Sequence, residues 1–284
     1  MITSEHCPTG LAVLIATRNR PALLRERALA SVAAQDVRPD LVAIVNDGSP
    51  WSSSEIDDIK SRLPCVTVLC AQNNRSPGVG GAWNTGLALL RDDGRTELVA
   101  IIDDDDLWDA GHLRTNRDAA STHGANIVVS GLRIRSSDGE LPRPLLTRLY
   151  DRDYLTGNPG WQGTNTFVGL DLILSAGGFR ESLRCMHDRD LAIRLLRHPD
   201  SKPLLIPRWT ATWCIDLPGR LSDRRGSAKL EGLRTFWAIY AGEMTNAEQH
   251  AFLARAETLF GFLPDEIVEP RDGMGPLCTD RMES

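Results

Sequence analysis

The chain has 284 residues, a formal net charge of −6 at pH 7, and 42% hydrophobic residues. That hydrophobic content can fill a substantial core, so the sequence predicts a globular protein. The negative net charge excludes a general attraction to nucleic acid or to an anionic membrane surface. The apolar stretches, such as residues 98–102, are far shorter than the roughly 20 residues that cross a bilayer, so no membrane span is expected.

The ends and the cysteines indicate a cytoplasmic protein. Residues 1–10 lack the basic and apolar regions of a secretory signal and are expected to form a flexible lead-in. The six cysteines are scattered, with no Cys-x-x-Cys pair and no histidine at zinc-ligand spacing. We therefore expect reduced thiols.

In the first third of the chain, apolar runs alternate with amphipathic segments. The apolar runs predict strands, and helices are predicted from Pro21 and over residues 82–94. The strands are expected at 11–16, 41–45, 65–70 and 98–102. This alternation predicts an α/β fold with a mostly parallel sheet covered by helices on both faces.

The second half has a looser pattern. A strand is predicted at 127–134, then an edge hairpin or loop, and then a polar loop, a strand and a helix over 160–179. The acidic start and apolar spacing of 187–197 favour a helix. Beyond it, residues 228–242 and the segment that follows a Thr245–Glu248 capping box predict two helices, with a frayed end after about residue 265.

Three polar clusters follow three of the predicted strands. They are Thr17–Arg20, Asn46–Ser49 and Asp103–Asp106. In open α/β sheets, ligands bind in the crevice beyond the carboxyl ends of the strands, so the three clusters should converge there.

The four consecutive aspartates predict a metal site or a solvated turn. Like charges this close are unfavourable unless water or a cation screens them. Side chains alternate along an extended segment, so Asp103 and Asp105 should face one side and Asp104 and Asp106 the other. Mg²⁺ and Mn²⁺ commonly use one or two carboxylates together with substrate phosphates, which fits one such pair. The glycine required by a calcium loop is missing.

Five motifs in order resemble the inverting family 2 glycosyltransferases of GT-A fold. They span about residues 11–197 and read TRNRP (17–21), VNDGS (45–49), NNRSPGVGGAWNTGL (73–87), DDDDLW (103–108) and GGFRESLRCMHDRD (177–190). The resemblance implies a GT-A domain over 11–226, with a Rossmann-like sheet. Its donor half would be about 11–108, its acceptor half about 109–226, and 227–284 a helical C-terminal extension.

The resemblance also implies an activity. Such enzymes move a sugar from a nucleotide diphosphate sugar to an acceptor nucleophile with inversion, using Mn²⁺ or Mg²⁺. The donor could be a UDP-, dTDP- or GDP-sugar, and the size of the chain favours a small or soluble acceptor. A sugar-nucleotide pyrophosphorylase-like enzyme is an alternative, but TRNRP lacks its glycine-rich loop. A non-catalytic nucleotide-sugar-binding protein is another.

Residue roles follow from the same resemblance. Asp188 matches the catalytic base, and Asp105 with Asp103 matches the metal-binding D-x-D motif. Residues matched to the nucleotide-sugar site are Thr17, Arg18, Asn19, Asp47, Asn84, Asp103 and Asp104. Arg18 stands where the family usually has tyrosine, and its guanidinium can also stack on a base.

Further residues are weaker candidates. Trp161, Gln162 and Gly163 precede a predicted strand on the acceptor side, where the tryptophan could stack on a ring or plug the core. His187 replaces the usual glutamate before the base. No histidine follows the last core strand, so Asp216 is a candidate metal ligand. Arginines that could close over the diphosphate are Arg220, Arg224 and Arg225. The helical tail could form an acceptor lid or a homodimer surface, although packing on the core is favoured.

Overall fold

The structure is a computed structural model that describes residues 10–216 and 223–268. Within these residues, nine strands form one sheet in the order β3-β2-β1-β4-β8-β6-β9-β5, and β7 pairs with the last four residues of β6, Arg133–Ser136. Their bounds are β1 (Leu11–Thr17), β2 (Leu41–Asn46), β3 (Thr67–Gln72), β4 (Leu98–Asp103), β5 (Leu107–Trp108), β6 (Ile127–Ser136), β7 (Gly139–Pro142), β8 (Thr166–Gly169) and β9 (Pro203–Cys214).

The first half of the sheet is parallel and the second half is mixed. Strands β3, β2, β1 and β4 all run in the same direction. Beyond them, β8 is antiparallel to both β4 and β6, whereas β9 runs parallel to β6. The register pairs Thr17 with Asn46 and Ala16 with Asp103. It therefore places the three polar clusters side by side at the carboxyl ends of β1, β2 and β4.

Helices cover both faces of the sheet. They are α1 (Pro21–Leu23), α2 (Ala30–Ala33), α3 (Ser53–Ser61), α4 (Val79–Asp93), α5 (His112–His123), α6 (Asp153–Thr156), α7 (Leu170–Ser175), α8 (His187–Arg197), α9 (Ser227–Tyr240), α10 (Asn246–Arg255) and α11 (Pro264–Val268). A π-helical segment, Leu24–Leu29, joins α1 to α2, and a second, Ala256–Phe260, extends α10.

The core has two layers because β1 is buried on both faces. Ala12, Leu14 and Ala16 face one layer, which also contains α4, α8 and the C-terminal helices. Leu11, Val13 and Ile15 face the other, which contains the helix that starts at Pro21. Side chains that alternate along a strand produce this division. The continuous apolar sequence of β1 is thus the signature of a central strand.

The C-terminal helices pack against α6 and α8. Phe236 of α9 stacks on Phe252 of α10 with ring centroids 5.7 Å apart. Thr245 caps α10 in a capping box with Glu248, and Arg152 pairs with the same glutamate. No helix among the described residues is long and apolar enough to cross a membrane.

Most predicted elements are present, and the differences include the start of the third strand and the C-terminal end. The third strand starts at Thr67 because Cys65 has a φ of 66°, which ends extended backbone. A third C-terminal helix, α11, occupies residues where fraying was expected, because Ile267 is buried and Arg234 Nε donates to the Glu266 carbonyl at 2.6 Å. The expected lead-in over 1–9 and the end after 268 lie outside the described residues.

Candidate active site

A cavity of about 800 Å³ opens at the carboxyl ends of the parallel strands. Its lining includes Thr17, Asp47, Asp103 and Asp105 from these strand ends, and Asp188 from α8. A second depression, of about 940 Å³, lies at the other end of β4 around Thr96–Leu98 and contains none of the five motifs. Because ligands of open α/β sheets bind beyond the carboxyl ends, the first cavity is the candidate site.

Backbone and side-chain hydrogen bonds fasten the first two loops together. The Asp47 amide donates to the Thr17 carbonyl at 2.8 Å, and the Ser49 amide donates to Asn19 Oδ1 at 2.9 Å. A Cβ atom on Gly48 would lie 2.1 Å from the same Asn19 oxygen, so only glycine fits there. Asn19 therefore supports the loop, and it is not among the residues that line the cavity.

Asp47 is held in place by the glycine-rich loop. Its carboxylate accepts from the Gly78 amide at 2.9 Å and from Asn73 Nδ2 at 2.6 Å. Arg18 lies 3.6 Å from the same carboxylate with a 60% exposed side chain. A planar, exposed guanidinium beside a fixed carboxylate can both stack on a ring and pair with its hydrogen-bond donors.

The four aspartates separate into the two predicted pairs, although β4 ends at Asp103 and the next residues form a turn closed by the Asp106 amide on the Asp103 carbonyl at 3.1 Å. Asp104 and Asp106 are fully buried away from the cavity. Thr17 Oγ1 donates to Asp104 at 2.6 Å and Arg20 pairs with it, while Asp106 accepts from Thr164 and from the Cys214 amide. Burial raises the pKa of Asp104 to about 6, although Arg20 and Thr17 favour its charged form. The structure therefore does not place Asp104, predicted as a nucleotide-sugar residue, on the cavity wall.

Asp103 and Asp105 lie on the cavity wall. Burial raises the pKa of Asp103 well above its usual value, and the carboxylates of Asp106 and Asp105 raise it further. Arg20 Nη1 donates to Asp105 at 2.7 Å. One arginine leaves this cluster with an excess of negative charge, which a divalent cation would relieve.

The carboxylates suit a cation that is shared with a ligand. Among the described residues, no group of three or more His, Cys, Asp or Glu side chains could hold a metal ion. Mg²⁺ and Mn²⁺ nevertheless bind through one or two carboxylates when substrate phosphates and waters complete the shell. Asp103 and Asp105 fit that arrangement.

Asp188 occupies the second position of α8, two residues after the N-cap. Met186, the N-cap, has a left-handed backbone with φ of 71°. Burial raises the pKa of Asp188 to about 7, even though the Gly163 amide and Lys229 both favour its charged form. A helix N-terminus also favours a carboxylate, so desolvation dominates here. A carboxylate that titrates near neutral pH inside a cavity has the properties of a general base.

His187 precedes Asp188 in the chain, and its ring packs against Trp83. Its ring meets Trp83 edge to face at 5.9 Å, and burial lowers the pKa of His187 to about 4. Within the described residues, His187 Nε2 and Trp83 Nε1 are both buried without a hydrogen-bond partner. His187 is therefore neutral near pH 7.

Two predicted site residues are structural. Asn84 binds the backbone of Phe179, because its side-chain amide donates to the Phe179 carbonyl and accepts from the Phe179 amide, at 2.8 Å each. Asn84 does not line the cavity. Trp161 is 1% exposed and donates to Thr166 Oγ1, so it fills the core and offers no stacking surface. Its neighbours Gln162 and Gly163 do lie beside the site, the former on the wall and the latter against Asp188.

The residues expected to close over a diphosphate have other partners. Asp216 is bound by Arg27 through two hydrogen bonds of 3.0 and 2.7 Å. Arg224 donates to the Thr258 carbonyl, and Arg225 pairs with Glu266. None of these three side chains lines the cavity. Arg220 lies outside the described residues.

Four basic side chains that line the cavity were not predicted from the sequence. Arg143, Arg189, Lys229 and Arg255 all line the cavity. One signal was available for Lys229, which is buried and has helical spacing to the buried Leu233, Phe236 and Tyr240 of α9. A lysine on the apolar face of a helix is unusual unless it has a partner or a function.

Known proteins resemble this chain in sequence and in fold. The succinoglycan biosynthesis protein ExoW of Rhizobium meliloti is 37% identical over 98 residues, which are 34% of this chain and 29% of ExoW. The match thus spans less than a third of that relative.

Solved structures match the fold over most of the chain. S. aureus TarS 1–349 in complex with UDP-GlcNAc has a TM-score of 0.63 at 17% identity, covering 89% of this chain and 73% of the TarS 1–349 chain. The mannosyltransferase PcManGT from Pyrobaculum calidifontis, in complex with GDP-Man and Mn²⁺, has a TM-score of 0.57 at 16% identity, covering 91% and 78%.

The family assignment depends on the sequence itself. The model of the family described as Glycosyl transferase family 2 matches residues 12–183, which include the ends of β1, β2 and β4 and most of the described sheet. This stretch is more than half of the 284 residues. The neighbours are glycosyltransferases of the GT-A fold, and the chain belongs to glycosyl transferase family 2.

Proposed function

We propose that this protein transfers a sugar from a nucleotide diphosphate sugar to an acceptor hydroxyl with inversion, and that Asp188 is the general base. The carrying observation is that Asp103, Asp105 and Asp188 share one cavity, where Asp188 has a pKa of about 7. Family membership supports glycosyl transfer. TarS and PcManGT were solved with UDP-GlcNAc and GDP-Man, which supports a nucleotide-sugar donor here.

The donor would lie against the ends of β1 and β2. Thr17, Arg18 and Asp47 line this part of the cavity. The fixed carboxylate of Asp47 would accept from the N–H of the base, while the exposed Arg18 would stack on the ring. A divalent cation held by Asp103 and Asp105 would offset the negative charge of the leaving diphosphate.

Asp188 would act on the acceptor. Its carboxylate would take the proton of the acceptor hydroxyl as that oxygen bonds to the anomeric carbon. The bond from that carbon to the diphosphate oxygen breaks at the same time, and the electron pair leaves with the nucleoside diphosphate. The Gly163 amide hydrogen-bonds to this carboxylate and would fix its direction.

Nucleotide binding tests this proposal without knowledge of the acceptor. Calorimetry and thermal shift would compare UDP, dTDP and GDP, each with and without Mn²⁺. A ligand that binds only the folded state raises its stability by mass action. We expect stabilisation by one nucleotide, enhanced by Mn²⁺, and loss of the Mn²⁺ dependence in Asp105→Ala.

The control is Asp92→Ala, an exposed aspartate at the end of α4 that pairs only with its neighbour Arg91. It should behave like the wild type. If no nucleotide binds in either metal state, the donor site is wrong. If a nucleotide binds but no sugar is transferred or hydrolysed, a non-catalytic binding protein becomes the better description.

A further inference from the structure

The cavity has walls of opposite charge. Its acidic wall carries Asp103, Asp105 and Asp188. The lining also includes four cationic side chains that we call the basic wall, namely Arg143, Arg189, Lys229 and Arg255. They come from the segment after β7 and from α8, α9 and α10, so only the folded chain brings them together.

Two of these cations have no anionic partner. Within residues 10–216 and 223–268, Arg143 and Arg255 form no ion pair, whereas Arg133 and Arg152 pair with Asp109 and Glu248. Arg143 Nη2 donates only to the Asn158 carbonyl, at 3.3 Å. Arg255 lies against Gly157, where a Cβ atom would come within 3.3 Å of its guanidinium carbon.

The other two are bound through neutral groups. Arg189 donates to the Tyr154 and Leu155 carbonyls and lies 4.3 Å from the Phe236 ring centre. Lys229 Nζ lies 4.0 Å from the ring centre of Phe260. Carbonyls and ring faces orient a cation without compensating its charge, although the carboxylate of Asp188 attracts Lys229.

The pKa values of the four cationic side chains show that their charged forms are destabilised. Burial lowers the pKa of Arg143 and that of Arg189, the latter to about 9, and in each case the nearby Arg255 lowers it further. Burial also lowers the pKa of Lys229 and that of Arg255. Half-buried cations that repel each other reduce stability unless something anionic meets them.

The basic wall lies near the proposed general base, Asp188, and not near the loops that carry Thr17 and Asp47. Arg143 and Arg255 contact Asn158 and Gly157, which lead into Gln162 and Gly163. Gly163 in turn hydrogen-bonds to Asp188. A nucleotide bound at Thr17 and Asp47, with its diphosphate at Asp103 and Asp105, would leave the basic wall to the acceptor.

We propose that the acceptor is anionic, and that Arg143 and Arg255 bind a phosphoryl or carboxylate group that lies close to the hydroxyl that Asp188 deprotonates. This inference rests on the proposed function, since it assumes that the donor occupies the other side. Arg143 and Arg255 are then specificity residues that choose the acceptor by charge. Lys229 and Arg189 add to the positive potential that attracts it.

Matched acceptors test the inference. Transfer would be measured with glycerol 1-phosphate, glucuronate and their uncharged counterparts glycerol and glucose, using the donor of the nucleotide that binds. Comparison of glycerol 1-phosphate with glucuronate shows whether the acceptor carries a phosphoryl or a carboxylate group. The variants are Arg143→Gln, Arg255→Gln and Gly157→Ala, which would displace the Arg255 guanidinium. The control is Arg91→Gln, an exposed residue of α4.

We expect transfer to one anionic acceptor, with an acceptor KM that rises on the order of tenfold in each arginine variant while the donor KM is unchanged. Melting temperatures of the arginine variants should equal or exceed that of the wild type, because an uncompensated charge is removed. Arg91→Gln should change neither constant.

Three results would overturn the inference. The first is equal use of charged and uncharged acceptors. The second is an acceptor KM that the variants do not change. The third is a loss of affinity for the nucleotide and Mn²⁺ in Arg143→Gln or Arg255→Gln, which would assign the basic wall to the donor diphosphate. All three leave the proposed function intact, whereas a wild type that binds no nucleotide ends both.

Discussion

The ionisation of Asp188 gives the sharpest prediction about catalysis. A base must be deprotonated, and Asp188 has a pKa of about 7. About one tenth of the molecules would be active at pH 6, so kcat/KM should fall about tenfold per pH unit below 7 and level off near pH 8. An aspartate with the ordinary pKa of about 4 would give a flat profile over this range. His187, neutral with a pKa of about 4, would not produce this limb.

Two variants test whether Asp188 causes the fall of kcat/KM on the acid side of the profile. Asp188→Asn should reduce kcat by roughly 10²- to 10⁴-fold with unchanged nucleotide affinity, because the base acts on the acceptor. Lys229 favours the charged form of Asp188, so Lys229→Met should move the limb to higher pH. Asp171→Asn, on the exposed side of α7, serves as the control.

The assay is nucleoside diphosphate release from the donor in overlapping buffers of constant ionic strength. A profile that is flat between pH 5.5 and 8, or an Asp188→Asn variant within a few fold of the wild type, would refute the assignment of the base.

Two further predictions concern stability. Asp190 is fully buried and is bound by Arg180, Arg194 and Tyr240, so Asp190→Asn should lower the free energy of unfolding by about 2–4 kcal/mol. Although burial opposes its charge, Arg194 and Arg180 lower the pKa of Asp190, so this advantage should disappear as the pH falls below about 4. Urea unfolding at pH 7 and pH 3 measures it, and an equal difference at both pH values would contradict the ion-pair explanation. Gly81→Ala would place a Cβ atom 2.0 Å from the Ser76 carbonyl oxygen, whereas a Cβ atom on Gly242 has open space. Gly81→Ala should therefore unfold at lower denaturant and weaken nucleotide binding, and Gly242→Ala should do neither.

The sequence predicted the elements whose periodicity is strong. Helix α8 has the predicted bounds, and β1, β2 and β4 begin where their apolar runs begin. Elements with little apolar pattern were not assigned. Helix α3 buries only Ile59 and depends on the capping box of Ser52 and Glu55, while β9 contains two prolines and a shifted register against β6. Such elements are decided by tertiary contacts.

The same limit applied to the site. The alternation argument predicted that Asp103 and Asp105 would separate from Asp104 and Asp106, and they do, but a turn after Asp103 produces the separation and not an extended strand. Local sequence did not reveal that Asp104 would be bound by Thr17 and Arg20, that Asn84 would bind Phe179, or that Trp161 would be buried. In each case the partner that decides the role comes from a different element of the fold.

The basic wall shows why a site can be costly to the fold and still be maintained. Core packing alone would favour an apolar residue at Lys229, beside Leu233 and Phe236. Arg255 ends a helix that already has Phe252 for packing and Glu248 for an ion pair with Arg152, so its charge is not needed to dock α10. The partly buried charges of Arg143 and Arg255, which form no ion pair within the described residues, are explained if a ligand supplies the anion. On this proposal Asp103 and Asp105 would hold a metal-bound diphosphate, the basic wall would bind an acidic acceptor, and Asp188 would act on the hydroxyl of that acceptor.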